Sequence, residues 1–198
     1  MRLQLPLSLD FRLKRPARFD EFTIEEALVP ILANLIATRK PMVVVELGSG
    51  LSTVVIAKVI ELLSLPTMGP SFATFVSIDE DERYVRRTRA WLQAEGLVHR
   101  VAFQVAPCAD NGWYGLPESP VQSLDFLFVD GPSSRVEGDN VRASALSFFK
   151  PHLTATSAIL VVDAKRDQWM VRDWLDEWPH ARATYYDTER GAALLEVG

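Results

Sequence analysis

Two rhythms of apolar residues alternate along the chain. Short unbroken runs rich in Val, Ile and Phe are separated by longer stretches in which apolar residues return every three or four positions. The first pattern predicts strands buried on both faces and the second predicts helices, so the chain reads as a parallel sheet covered by helices. Thr23-Ile24-Glu25-Glu26 has the form of a capping box, and Leu28, Ile31, Leu32 and Leu35 follow at helical spacing, predicting a helix over 23–38 kinked at Pro30. Strands are expected at 42–46, 74–78, 101–105, 124–129 and 158–162. Between them the spacing predicts helices over 52–63, up to Glu95, from Val141 to Phe149 and around Val171, Trp174, Leu175 and Trp178. Residues 64–71 and 107–120, rich in Pro and Gly, read as loops. Residues 184–186 and 192–197 are two strands joined near Gly191, too close for a helical crossover and so antiparallel. The fold class is therefore α/β, with seven strands, mostly parallel, helices on both faces and a C-terminal antiparallel pair.

Length and charge narrow this further. A chain of 198 residues suits one globular domain, with 1–40 forming an arm and helix ahead of a main domain at 41–198. No apolar run reaches the ~18 residues of a membrane span. Pro6 and the charges at 10, 12, 14 and 15 leave no apolar core for a signal peptide. The single cysteine, Cys108, forms no internal disulfide, and a cytoplasmic protein is the expectation. A net charge of −5 gives no reason to expect nucleic acid or a membrane as partner. The basic arm of Arg12, Lys14, Arg15 and Arg18 could be solvated, packed across a second copy in a homodimer, or used to hold an acidic substrate.

Four of the five parallel strands end in an acid: Glu46, Asp79, Asp130 and Asp163. In an open parallel sheet these ends share the edge where ligands bind, so the four are expected to line one crevice, although each alone could simply cap the next helix. Between the first strand and its helix stands Glu46-Leu47-Gly48-Ser49-Gly50-Leu51-Ser52-Thr53. Glycines here allow a tight turn and close approach of a ligand to the backbone. A dinucleotide fingerprint would want a third glycine where Thr53 stands, and Glu46 suits a cationic ligand better than a pyrophosphate. Asp79 can accept hydrogen bonds from a ribose diol, or it can cap the helix beginning near Asp81.

From residue 40 onward the chain resembles the class I S-adenosylmethionine-dependent methyltransferases, whose fold is Rossmann-like. ELGSG is similar to their first motif, and SIDED puts Asp79 where their ribose-binding acid stands. FLFVDGP and ILVVDAKRD are similar to a branch of small bacterial methyltransferases with a DGP motif after the fourth strand. The resemblance implies S-adenosylmethionine as cofactor and S-adenosylhomocysteine as product. It implies Glu46, Gly48, Ser49, Gly50, Ser52, Asp79, Glu80, Asp110 and Asp130 around the cofactor. Asp130-Gly131-Pro132-Ser133 is not the motif of enzymes that methylate nucleobase amines, so an oxygen or nitrogen of a small molecule is the expected acceptor.

Trp113 and Tyr114, in the loop after the third strand, are candidates to stack on the substrate, or simply to pack the loop. Asp130 is the expected proton acceptor with Asp163 in support, while His152 and Lys165 are further candidate bases. Metal-dependent relatives of catechol type place Asp-Asn after the fifth strand, and a lysine three residues beyond the fourth-strand Asp. Here Ala164 and Ser133 stand at those positions, so no metal is expected. Two other functions stay open: a nicotinamide-dependent oxidoreductase, and a non-catalytic binding module of the same fold.

Overall fold

The computed structural model describes residues 3–4, 10–11, 13–14, 23–64, 73–133 and 141–197. Two short strands, β1 (Leu3–Gln4) and β2 (Asp10–Phe11), pair antiparallel. There follow α1 (Leu28–Arg39), β3 (Val43–Leu47), α2 (Leu51–Leu63), β4 (Thr74–Asp79), α3 (Glu82–Glu95) and β5 (Ala102–Val105). The remainder is β6 (Leu124–Val129), α4 (Ser144–Phe149), β7 (Leu153–Val162), α5 (Gln168–Glu177), β8 (Ala181–Tyr186) and β9 (Ala192–Val197). Seven strands form one sheet in the order β5-β4-β3-β6-β7-β9-β8. Those from β5 to β7 run parallel, and β9 enters antiparallel between β7 and β8.

Alternation along the strands divides the core in two. Val44, Phe75, Phe126, Phe128, Leu160 and Leu194 meet α1 and α2, while Val45, Leu47, Ile78, Leu127, Ile159 and Leu195 meet α4 and α5. A strand buried on both faces must be apolar on both, which is why these runs lack a polar side. No helix among the described residues is long and apolar enough to cross a membrane.

The structure departs from the sequence pattern at the first helix. It starts at Leu28, not at 23, and Ala27 precedes it without a side-chain cap. Glu25, expected in a capping box, instead accepts the backbone N–H of Arg190 and faces its guanidinium. Pro30 falls in the first turn, where an amide has no intrahelical acceptor to lose, so it needs no kink. Strand β7 begins five residues earlier than the apolar run, through a register shift at which Ser157 Oγ donates to Leu124 O. Of the basic arm, Lys14 is held at the end of α3: its N–H donates to Glu95 Oε2 and its Nζ to Glu95 O. Arg12, Arg15 and Arg18 lie outside the described residues.

Candidate active site

The sheet reverses its direction of growth at β3, with β4 on one side and β6 on the other. Such a switch point opens a crevice at the carboxyl ends of the strands. Gly48 turns the chain there with φ +91°, and a Cβ on it would lie 3.0 Å from the amide nitrogen of Gly131. Leu47 O receives the N–H groups of both Asp130 and Gly131, so the turns after β3 and β6 lock together on their backbones. Gly50, by contrast, faces open space at the start of α2.

Glu46 is not on the crevice, which corrects the expectation that four acids line it. It lies one residue before the end of β3, on the face toward α2, and is 0% exposed. Its Oε2 accepts from Thr53 Oγ1 at 2.6 Å and Ser77 Oγ at 2.7 Å, and Thr53 Oγ1 in turn accepts the N–H of Gly50 at 2.9 Å. Thr53 thus occupies the third fingerprint position because its hydroxyl ties the glycine turn to the buried acid. Burial pushes the Glu46 carboxyl up to about 8, against the pull of the hydroxyls of Ser52, Thr53 and Ser77. At neutral pH it is mostly uncharged, so its charge alone does not select a cationic ligand.

Asp79 is buried at the end of β4, where its Oδ2 accepts from Ser49 N–H at 2.7 Å and Ser49 Oγ at 2.8 Å. Its Oδ1 accepts the N–H of Asp81 at 2.8 Å. The cap of α3 is Asp81, not Asp79. Burial raises the proton affinity of Asp79, and the three donors oppose it. Glu80 Oε1 accepts from the N–H and hydroxyl of Ser133, tying β4 to the turn after β6. Asp110 is exposed on its loop.

The loop after β5 folds back through a bridge between Cys108 and Tyr114. This swings both aromatics inward: Trp113 is 7% and Tyr114 2% exposed, packed against each other and, for Trp113, against Phe148. The expectation that they stack on a substrate is corrected, because both rings belong to the core beneath the crevice. The Tyr114 hydroxyl has no hydrogen-bond partner among the described residues.

Asp130 follows β6 with 21% of its side chain exposed. Burial raises its proton affinity and Arg142 lowers it. Asp163, after β7, is 7% exposed and meets the guanidiniums of Arg142 at 2.8 Å, Arg166 at 3.3 Å and Arg190 at 3.4 Å. The sequence pattern missed these arginines, since they come from three separate turns. Of the other candidate bases, His152 precedes β7 at the opposite edge of the sheet, and Lys165 is paired with Thr188 O and Asp187.

No protein-family model and no curated protein matches the sequence. Solved structures do match. A methyltransferase from Geobacter sulfurreducens is 21% identical with a TM-score of 0.66, covering 89% of this chain and 82% of its own. The O-methyltransferase TomG from Streptomyces achromogenes, involved in tomaymycin synthesis and in complex with SAM, is 15% identical with a TM-score of 0.64, covering 89% of this chain and 82% of its own. An O-methyltransferase from Bacillus cereus in complex with SAH is 15% identical with a TM-score of 0.65, covering 90% of this chain and 84% of its own. By strand order and by these likenesses, the chain has the fold of the class I S-adenosylmethionine-dependent methyltransferases that its motifs resemble.

Proposed function

We propose that this protein is a methyltransferase that uses S-adenosylmethionine to methylate an oxygen or nitrogen of a small molecule in the cytoplasm. The observation that carries the reading is the open space before Gly50, at the start of α2 and beside Ser49 and Asp79. These residues fit the cofactor. A backbone without Cβ admits its methionine part, and Asp79 Oδ1, with one donor already on it, can accept one ribose hydroxyl. When bound, S-adenosylmethionine supplies an electrophilic methyl group on a cationic sulfur and leaves as S-adenosylhomocysteine. Names of the structural neighbours favour oxygen as the methylated atom. The net charge of −5 supports a small acceptor over nucleic acid.

The protein's own part is positioning and proton handling. Gly48 and Gly131 interlock the two turns so that the crevice floor is rigid. Asp130 is the partly exposed acid at that floor, and in its ionised form it takes the acceptor's proton. Calorimetric titration with S-adenosylhomocysteine, S-adenosylmethionine and NAD tests the reading. Binding of the first two and not the third is expected; binding of NAD alone would favour an oxidoreductase, and binding of none a non-catalytic module.

A further inference from the structure

The metal-dependent enzymes of catechol type, whose strand-end acids Asp130 and Asp163 match, set a divalent cation between two such acids, and here the residues do not fit one. Asp130 and Asp163 are present, but the guanidinium of Arg142 stands between them, with Nη1 2.8 Å from Asp163 Oδ2 and Nη2 3.8 Å from Asp130 Oδ1. Its Nε donates to Pro132 O at 3.4 Å, which anchors it to the turn after β6. The side chain is only 10% exposed. Both oxygens of Asp163 face guanidiniums: Oδ2 meets Arg142 and Arg166, and Oδ1 meets Arg190. A hard cation needs carboxylate and carbonyl oxygens with open lone pairs. Among the described residues, no group of three His, Cys, Asp or Glu could hold a metal ion.

We propose that Arg142 is a positioning residue that takes the place of a divalent cation, holding Asp130 and Asp163 side by side and leaving Asp130 as the acid that meets the acceptor. This rests on the methyltransferase reading for its use, though not for its geometry. Two carboxylates at adjacent strand ends repel, and a fixed positive charge between them removes the repulsion without a metal. The fork of an arginine is shaped for two carboxylates where a lysine is not. The acceptor class follows. A metal gathers two neighbouring oxygens by chelation, whereas one open carboxylate holds a single hydroxyl or amine, so the acceptor is bound through one nucleophilic group rather than through a vicinal diol.

Manganese titration followed by electron paramagnetic resonance tests this on the whole protein, with S-adenosylhomocysteine calorimetry on the same samples. Arg142→Gln should bind Mn2+ at least about tenfold more tightly than the wild type, because a unit positive charge has left the space between two acids. Arg142→Lys should gain less, and adding Asp130→Asn to Arg142→Gln should abolish the gain. A merely structural arginine would create no metal site when removed. The proposal is overturned if Arg142→Gln retains S-adenosylhomocysteine binding but gains no Mn2+ affinity. It is equally overturned if the wild type binds Mn2+ as tightly as that variant. Should Arg142→Gln fail to fold, wild type and Asp130→Asn decide: Mn2+ bound by the first and lost in the second overturns it, and no binding by either supports it. Loss of S-adenosylhomocysteine binding in the wild type would instead strike the methyltransferase reading and leave the arginine geometry standing.

Discussion

Thr53 Oγ1 donates to Glu46 Oε2 at 2.6 Å while receiving the amide of Gly50 at 2.9 Å, so one hydroxyl joins the turn before α2 to an acid inside the protein. Thr53→Val keeps the shape and removes the hydroxyl. The Gly50 amide then loses its partner and Glu46 Oε2 keeps only the Ser77 hydroxyl, at a cost of about 1–3 kcal/mol for a polar group left unsatisfied. A urea melt should show a clear loss for Thr53→Val and far less for Thr53→Ser. Calorimetry should show weaker S-adenosylhomocysteine binding only in the valine variant.

Glu46 gives stability a definite pH dependence. In the unfolded chain it titrates in the ordinary carboxylate range, and in the folded protein burial moves it to about 8. The folded state therefore holds the extra proton in between, and its stability is full below the unfolded value and lost as pH rises through the folded one. Asp79 and Asp130, both raised by burial, add a slope of the same sign. The free energy of unfolding should fall from about pH 5 to pH 8 in the wild type, at about 1.4 kcal/mol per unit while one such proton is held, and the melting temperature should fall with it. Glu46→Gln should flatten much of that fall. An equal slope in both proteins would show that Glu46 is ionised when folded.

Asp79 carries three donors from Ser49 and Asp81, so its removal is a folding event as well as a binding one. Asp79→Ala should cost about 1–3 kcal/mol in a denaturant melt and weaken cofactor binding by a similar amount. Full stability with lost binding would mean the Ser49 contacts are weaker than their lengths suggest.

The Tyr114 hydroxyl is buried against Gly131 without a partner among the described residues. Tyr114→Phe deletes a buried unsatisfied group, so the thermal melt should be unchanged or slightly higher, within about 1 kcal/mol. A drop in S-adenosylhomocysteine affinity in this variant would show instead that a bound ligand reaches the hydroxyl.

Asp130→Asn removes the proton acceptor and keeps the shape. Turnover with an acceptor that must lose a proton should fall about 10²–10⁴-fold, a loss far larger than any change in S-adenosylhomocysteine affinity measured by calorimetry on the same variant. Unaltered turnover would assign the proton to another group.

How much of this the sequence carried can be judged element by element. The strand runs 124–129 and 74–78 were legible because burial on both faces leaves an unbroken apolar signal. The insertion of β9 between β7 and β8 was not, because strand order depends on partners distant in sequence. At the site, Gly48 and Asp79 stood out by type and spacing. Glu46 was misjudged because a strand-end acid reads the same whether it faces solvent or a helix. Only the pairing Glu46↔Ser77 with Thr53 overhead reveals the difference. Arg142, Arg166 and Arg190 carry no local motif, and they become a group only when three turns meet at Asp163.

Arg190 binds Asp163 and also reaches the carbonyl of Thr23 and the carboxylate of Glu25, positions 165 to 167 residues away. Contacts of such separation close late, since the entropy of a long loop is lost before they return anything. The consequence is an order of events during synthesis. Strands β3 to β7 can pair while the ribosome still holds the last hairpin, but the acid pocket stays unfinished until residues 188–191 arrive and dock. A nascent chain stalled before Arg190 should therefore present a paired sheet whose Asp163 lacks one of its three guanidiniums, and whose segment at 23–25 lacks the bonds that Arg190 makes to Thr23 and Glu25.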